Sequence, residues 1–154
     1  MSKHIQVEIK MMSSTAIMPT RGSAAAAGWD LYADLRPPED TGTIRVIYPH
    51  TTSVIGTGFA LAIPDGWEGQ IRPRSGLATK SGLRPANTPG TIDSDYRGEI
   101  KVALHNDTDV DQYVYHGDRI AQIVFSEVPE VVLLPVLTLS DTERGEGGFG
   151  SSGK

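Results

Sequence analysis

The chain has 154 residues, a formal net charge of −5 at pH 7, 38% hydrophobic and 21% charged residues, and no Cys. One core of this size is feasible and two are not. Disulfides and thiolate chemistry are excluded, and the acidic balance argues against a nucleic-acid polymer as partner. An acidic chain can still hold a small polyphosphate by gathering Arg, Lys, backbone N–H groups and a metal at one place. The 17 Gly and 10 Pro fall mostly between short apolar runs, which marks a turn-rich chain. Residues 1–20 carry no signal-peptide-like apolar stretch, and no window approaches the ~20 apolar residues of a membrane span. These features, with the missing Cys, lead us to expect a cytoplasmic protein without membrane contact.

Taken in chain order, Ala27-Gly28-Trp29-Asp30-Leu31-Tyr32-Ala33 sets one acid among apolar residues. A partly buried Asp30 needs a partner, and either a metal or an Arg satisfies it. Residues 45–48 are β-prone. Residues 53–63 are rich in Val, Ile, Thr and Phe and end at the turn Pro64-Asp65-Gly66. Residues 70–72 read as extended. In Pro73-Arg74-Ser75-Gly76-Leu77-Ala78, Arg74 offers a planar fork of donors suited to phosphate oxygens. Ser75 and Gly76 would open a two-turn helix over residues 75–83, where anions bind readily; a capped helix with a surface Arg reads equally well.

The densest chemistry lies in Asn87-Thr88-Pro89-Gly90-Thr91-Ile92-Asp93-Ser94-Asp95-Tyr96-Arg97-Gly98-Glu99. Turns at Pro89-Gly90 and at residues 96–99 predict a hairpin whose backbone groups suit reading the edge of a flat base, with Asp93 and Tyr96 near that edge. An ordinary polar hairpin has the same composition. Residues 100–104, 112–115, 120–125 and 131–136 read as further strands, the last two buried. Gly117-Asp118-Arg119-Ile120-Ala121-Gln122 is a turn entering a strand, in which Gln122 points either at a ligand or along a sheet edge. Asn106-Asp107-Thr108 matches a glycosylation acceptor by chance. Many short strands split by Gly and Pro turns predict an all-β sandwich, jelly roll or barrel.

The chain ends in Arg144-Gly145-Glu146-Gly147-Gly148-Phe149-Gly150-Ser151-Ser152-Gly153. Its glycines can turn successive N–H groups onto an anion, with Arg144 adding charge and Phe149 a stacking face; a flexible tail or linker looks the same. The organisation is therefore a β domain over residues 1–142 and a glycine-rich tail over 143–154. The four His lack zinc-site spacing and no nucleophile elbow is present.

Each segment alone is weak, but the five in this order resemble the five motifs of the trimeric dUTPase family, from Ala27 to Gly153. Glu146 stands where that family often has a small residue or another acid. The resemblance implies a distorted jelly-roll subunit of the β-clip type with one short helix, assembled as a homotrimer with three shared active sites. Each site would take the Asp30, Arg74 and Gln122 segments from one subunit, the Asp93 segment from a second and the tail from the third. It implies Mg²⁺-assisted hydrolysis of dUTP to dUMP and pyrophosphate, limiting uracil in DNA and supplying dUMP for dTMP synthesis. Asp93 would aim and deprotonate water at the α-phosphorus. Asp30 would hold hydrated Mg²⁺ through water. Arg74, Ser75, Gly76 and Gln122 would bind the phosphates, joined by Arg144, Gly150, Ser151 and Ser152 from the tail. Asn87, Gly90, Thr91 and Ile92 would read uracil, Tyr96 would lie against the sugar, Lys101 would contact substrate and Phe149 would stack on the base. A dCTP deaminase of the same superfamily, or a dUTP-sensing regulatory protein, are the alternatives; ammonia release and binding without pyrophosphate release distinguish them.

Overall fold

A computed structural model describes residues 4–35 and 44–148. Ten strands and one helix follow in chain order: β1 (Glu8–Met11), β2 (Trp29–Tyr32), β3 (Ile44–Ile47), β4 (Thr52–Ala62), β5 (Trp67–Arg72), α1 (Ser75–Ser81), β6 (Leu83–Pro85), β7 (Gly90–Ile92), β8 (Glu99–Asn106), β9 (Gln112–Tyr115) and β10 (Arg119–Glu127). They form a four-stranded sheet β1-β4-β8-β6, a second four-stranded sheet β2-β10-β5-β7, and a ribbon β3-β9. Every pairing is antiparallel. The fold is all-β with one short helix, as the strand pattern predicts, and of the jelly-roll type that the resemblance implies.

Alternation along the strands builds the core. In β8, Ile100, Val102 and Leu104 point inward while Lys101 and His105 point out. Leu31 of β2, Ile71 of β5, and Ala121 and Ile123 of β10 meet them from the other sheet; Ile55, Phe59 and Leu61 of β4 complete the cluster. Burying each large side chain stabilises by roughly 1.5–3 kcal/mol. The strand β4 carries an irregularity between Gly56 and Ala60, opposite Lys101 and Glu99. Gly58 takes φ 74° there. Its N–H donates to Glu99 Oε1 at 2.9 Å. A side chain at Gly58 would also overlap the Asp34 carboxylate, so the bulge requires glycine twice over.

Four expectations need correction. Residues 131–136 form no strand, and the apolar segment beyond β10 is exposed, with Leu133 at 89% and Leu137 at 104%. A run of β-branched residues and leucines becomes a strand only when it finds an edge to pair with. The helix stops at Ser81 because Gly82 adopts the left-handed conformation, φ 63°, and Leu83 is drawn into the core as the start of β6. Arg74, in extended conformation, holds the position before the helix. No hairpin spans residues 89–99: β7 pairs with β5 and β8 with β4 and β6, so the loop between them carries the chain from one sheet to the other. The strand β10 is internal, so Gln122 does not lie at a sheet edge.

Both β1 and β2 are edge strands. Between them lies an apolar groove of about 250 Å³ lined by Val7, Ile9, Met18, Trp29, Leu61 and Phe125 among others. No helix among the described residues is long and apolar enough to cross a membrane.

Two polar devices close the end of the β8 sheet. Asn106 is 0% exposed. Its Nδ2 donates to the Ile47 and Val110 carbonyls at 2.9 and 2.8 Å, and its Oδ1 accepts from the Thr108 N–H and hydroxyl. That burial removes it as a glycosylation acceptor. Beside it, Arg84 grips Asp107 at 2.5 and 3.1 Å, and His105 Nε2 lies 3.4 Å from the same carboxylate. The Arg84 hydrogen bonds hold Asp107 below the usual carboxylate range, with the charges of Arg84, His105 and His50 adding to the effect.

Replacing Asn106 by Ala leaves the buried Ile47 carbonyl and the part-buried Val110 carbonyl without their donor and is expected to cost about 2 kcal/mol in denaturant unfolding at matched protein concentration; a cost below about 1 kcal/mol would mean those carbonyls find other donors. A depressed carboxyl contributes stability in full above the ordinary aspartate value, about pH 4, and loses it as pH falls through the lower folded value. Asp107→Asn should therefore melt below wild type at pH 7, and the gap should close under acid. A gap independent of pH would show that the charge contributes nothing.

Candidate active site

The strands β2 and β10 position the first group of side chains. Leu31 is buried, so Asp30 and Tyr32 face the opposite way, with Gln122 directly across from Asp30. The Asp30 backbone is fixed from its other side by its N–H bond to the Thr20 carbonyl, 2.7 Å. Its carboxylate has two guanidinium partners: Arg74 Nε donates to Oδ1 at 2.8 Å and Arg119 Nη1 to Oδ2 at 3.4 Å. Arg74 Nη1 also reaches the Arg119 carbonyl at 3.4 Å. Gln122 Nε2 donates to the Pro73 carbonyl at 2.8 Å, which clamps the segment leaving β5. A Cβ at Gly28 would overlap the Gln122 carboxamide, so a larger residue there would have to displace that side chain from the Pro73 carbonyl. Ser75 and Gly76 open α1 and are exposed; a Cβ at Gly76 would meet nothing within 4 Å. Arg74, Leu77, Tyr113, Tyr115 and Arg119 line a cleft of about 330 Å³ beside this group.

The second group hangs on β7 and the loop that follows. The strand β7 pairs with β5 along one side only, leaving the other side an open sheet edge. Its Gly90 packs tightly against the Asn87 side chain and backbone. Asp93 begins a turn closed by the Tyr96 N–H to the Asp93 carbonyl, 3.2 Å. Tyr96 Oη donates to the Glu99 carbonyl at 3.1 Å, and Arg97 Nη1 to the Ser94 carbonyl at 2.6 Å. Glu99 Oε2 lies 3.9 Å from Lys101 Nζ. Thr91, Ile92, Asp93, Tyr96, Glu99 and Lys101 enclose a cavity of about 170 Å³. Pockets that bury a drug-sized ligand run roughly 300–1,000 Å³, so this one suits part of a nucleotide.

The sequence-predicted residues thus fall into two places. Asp30, Arg74 and Gln122 converge, with Ser75 and Gly76 adjoining. Thr91, Ile92, Asp93, Tyr96 and Lys101 converge elsewhere, with Asn87 and Gly90 adjoining. The two cavities share no lining residue. Arg144 is exposed and its Nε donates to the Gly147 carbonyl at 2.8 Å. Phe149, Gly150, Ser151 and Ser152 lie outside the described residues. Sequence reading passed over Arg119 and Glu99. Both stand inside the quoted motifs, but the irregularities in β10 and β4 that aim or anchor them leave no compositional trace.

Among the described residues no cluster of three or more His, Asp or Glu could hold a metal. Asp30 is the acid of the Arg74 group. Mg²⁺ keeps several waters and is typically held by one or two carboxylates together with substrate phosphates. This donor set fits an ion arriving with a phosphate chain and reached from Asp30 through water.

The sequence profile of the dUTPase family matches residues 14–153. A deoxyuridine 5'-triphosphate nucleotidohydrolase of Helicobacter hepaticus is 48% identical over 153 residues, covering 99% of this chain and 92% of that protein. One from Syntrophotalea carbinolica is 48% identical, covering 98% and 99%. The structure of Staphylococcus bacteriophage 80alpha dUTPase with dUpNHpp superimposes with a TM-score of 0.81 at 29% identity, covering 97% of this chain and 99% of that one. A dUTPase of phage phi11 of S. aureus, described with a structural Mg(II) ion, shares the fold at TM-score 0.74 and 23% identity, covering 89% and 100%. A family profile spanning almost the whole length, met by the same five segments that build the two groups and the tail, places this chain in the dUTPase family.

Proposed function

We propose that this chain hydrolyses dUTP to dUMP and pyrophosphate by attack of water on the α-phosphorus. The observation that carries this reading is the small cavity lined together by Asp93, Tyr96, Lys101 and the Thr91 and Ile92 residues of the edge strand β7. Asp93 accepts the proton of the attacking water. An aspartate is ionised at neutral pH but is a weak base, so the phosphorus must be activated by charge. Arg74 and the N–H groups near Ser75 and Gly76 supply part of that charge, and Gln122 contacts the chain near the α-phosphate. Mg²⁺, when bound with the phosphates and steadied by Asp30 through water, neutralises charge on their oxygens.

Base choice follows from hydrogen-bond polarity. The free edge of β7, over Gly90, Thr91 and Ile92, presents backbone groups in a fixed order, with Asn87 beside it. Uracil carries an N3–H donor and an O4 acceptor, and cytosine reverses both. An edge matched to uracil leaves buried groups unpaired with cytosine, worth roughly 10⁴–10⁵ in specificity at sites built this way. Tyr96, its hydroxyl tied to the Glu99 carbonyl, lies against the sugar and leaves no room for a 2′-hydroxyl. Lys101 contacts the substrate from β8.

A homotrimer with shared sites accounts for the two separate cavities. It also accounts for the exposed arm beyond β10. Val132, Leu133, Leu134, Leu137 and Leu139 are almost fully solvated in one chain, an apolar surface that soluble proteins cover by association. The groove between edge strands β1 and β2 is the complementary feature. The β domain spans residues 1–142. The tail, 143–154, folds over a neighbour's site, where Arg144, Gly150, Ser151 and Ser152 hold phosphate and Phe149 stacks on the base. Acting in the cytoplasm, the enzyme limits uracil in DNA and supplies dUMP for dTMP synthesis, without nucleic-acid or membrane partners.

Asp93→Asn should lower kcat by about 10²–10⁴, the range a general base contributes, while calorimetry finds the affinity for dUpNHpp retained; turnover near wild type would remove Asp93 from its role. Truncation after Glu143 should leave a trimer in light scattering with most activity gone. Truncation after Glu130 should yield monomers. Trimers from the shorter chain would show that the arm does not hold the assembly.

A further inference from the structure

We propose that Arg119 is a positioning residue that holds the Asp30 carboxylate in place when Arg74 turns to the substrate's phosphates. The inference deepens the functional reading above and rests on it.

The argument begins with strand parity. Side chains alternate along a strand, so residues 119 and 122, three apart, belong on opposite faces. The register shows otherwise. Gln122 lies opposite Asp30, Ala121 opposite Leu31, and Arg119, not Ile120, opposite Tyr32. Ile120 is the extra residue of a bulge, and bulges re-aim side chains. The consequence is an exchange of faces. Ile120, which a regular strand would send outward, is 1% exposed in the core. Arg119, which a regular strand would send inward, joins Asp30 and Gln122 on the outer face and brings Nη1 within 3.4 Å of Asp30 Oδ2.

The Asp30 side chain is only 16% exposed, and each of its oxygens has its own guanidinium. A largely buried carboxylate stripped of partners is strongly disfavoured. Arg74 has a competing task, because its planar fork suits phosphate, and turning to phosphate gives up the 2.8 Å bond to Oδ1. Arg119 is anchored differently. It begins β10, where its backbone is paired with Tyr32 of β2 independently of Arg74. It can stay with Asp30 through the exchange, so the carboxylate keeps a guanidinium partner and its orientation beside the phosphate cleft.

The test is a double-mutant cycle on the full chain, with Arg119→Gln, Asp30→Asn and the combined variant, and with Arg119→Lys as the charge-preserving control. Pyrophosphate release from dUTP gives kcat and KM, calorimetry gives the metal-free affinity for dUpNHpp, and melting reports folding. Arg119→Gln should lower kcat/KM about fivefold, the equivalent of the upper range for a half-exposed ion pair. In the Asp30→Asn background it should change kcat/KM by less than about twofold, the limit of non-interaction. Arg119→Lys should restore most of the loss, and metal-free affinity for dUpNHpp should stay within about twofold. Equal losses in both backgrounds, or weakened metal-free binding, would mean that Arg119 meets the phosphates itself and overturns the proposal. So would an Arg119→Gln enzyme indistinguishable from wild type. If wild type releases no pyrophosphate from dUTP, the functional reading falls and this inference with it; a hydrolysing wild type with additive losses overturns this inference alone.

Discussion

The carboxylate of Asp30 ties together three stretches of chain that lie far apart in sequence. It stands on β2, and its two cationic partners come from the segment after β5 and from the start of β10. Gln122 repeats the connection a few atoms away, reaching from β10 past Gly28 to the Pro73 carbonyl. Pairing of β10 with β2 and β5 brings these segments together, and the charged centre fixes the side chains at their ends. With it, an Arg is held partly out of solvent at the mouth of a cleft, where a phosphate can compete for its donors. Arg74 and Arg119 line the cleft together with Asp118, and Asp30 pairs with both guanidiniums, so a phosphate must compete with carboxylates for those donors.

A second constraint concerns what a single chain lacks. The Asp93 cavity and the Arg74 cleft share no lining residue, so in one chain the Asp93 carboxylate and the Arg74 guanidinium do not meet in one pocket. The arm beyond β10 leaves several leucines in water, while a groove beside β1 and β2 remains open. The homotrimer proposed above would address both deficits together: apolar burial would drive assembly, and assembly would bring the β7 edge of one subunit toward the Arg74 cleft of another. Each loop then keeps a simple local role: β7 stays short and open-edged, and the turn after it holds Asp93 and Tyr96 by backbone bonds rather than by packing.

The strand content was legible because it rests on local alternation and turn chemistry. Residues 53–63, 100–104, 112–115 and 120–125 became β4, β8, β9 and β10 with boundaries moved by a few residues. The weaker strands β1, β2, β6 and β7 were not read as strands, since three or four residues of mixed polarity carry too little pattern. The run at 131–136 was misread for the opposite reason: its pattern is strong, but strand formation needs pairing, and this segment pairs with no strand edge among the described residues of its own chain. The supposed hairpin at 89–99 failed because a turn-rich loop looks alike whether it joins neighbouring strands or crosses between sheets.

For the candidate site the division is similar. Residue order and type alone determined the family, the short helix after Arg74, and which side chains are chemically able to bind phosphate, read a base edge or take a proton, because these follow from side-chain chemistry and spacing. Only the tertiary structure decided that those residues form two groups rather than one, that Asp30 is held between Arg74 and Arg119, and that Arg119 faces outward at all. The reason is physical. A bulge shifts strand parity by one residue, and a loop chooses its sheet by the burial it achieves. Both outcomes depend on contacts with residues tens of positions away, which a local pattern does not encode.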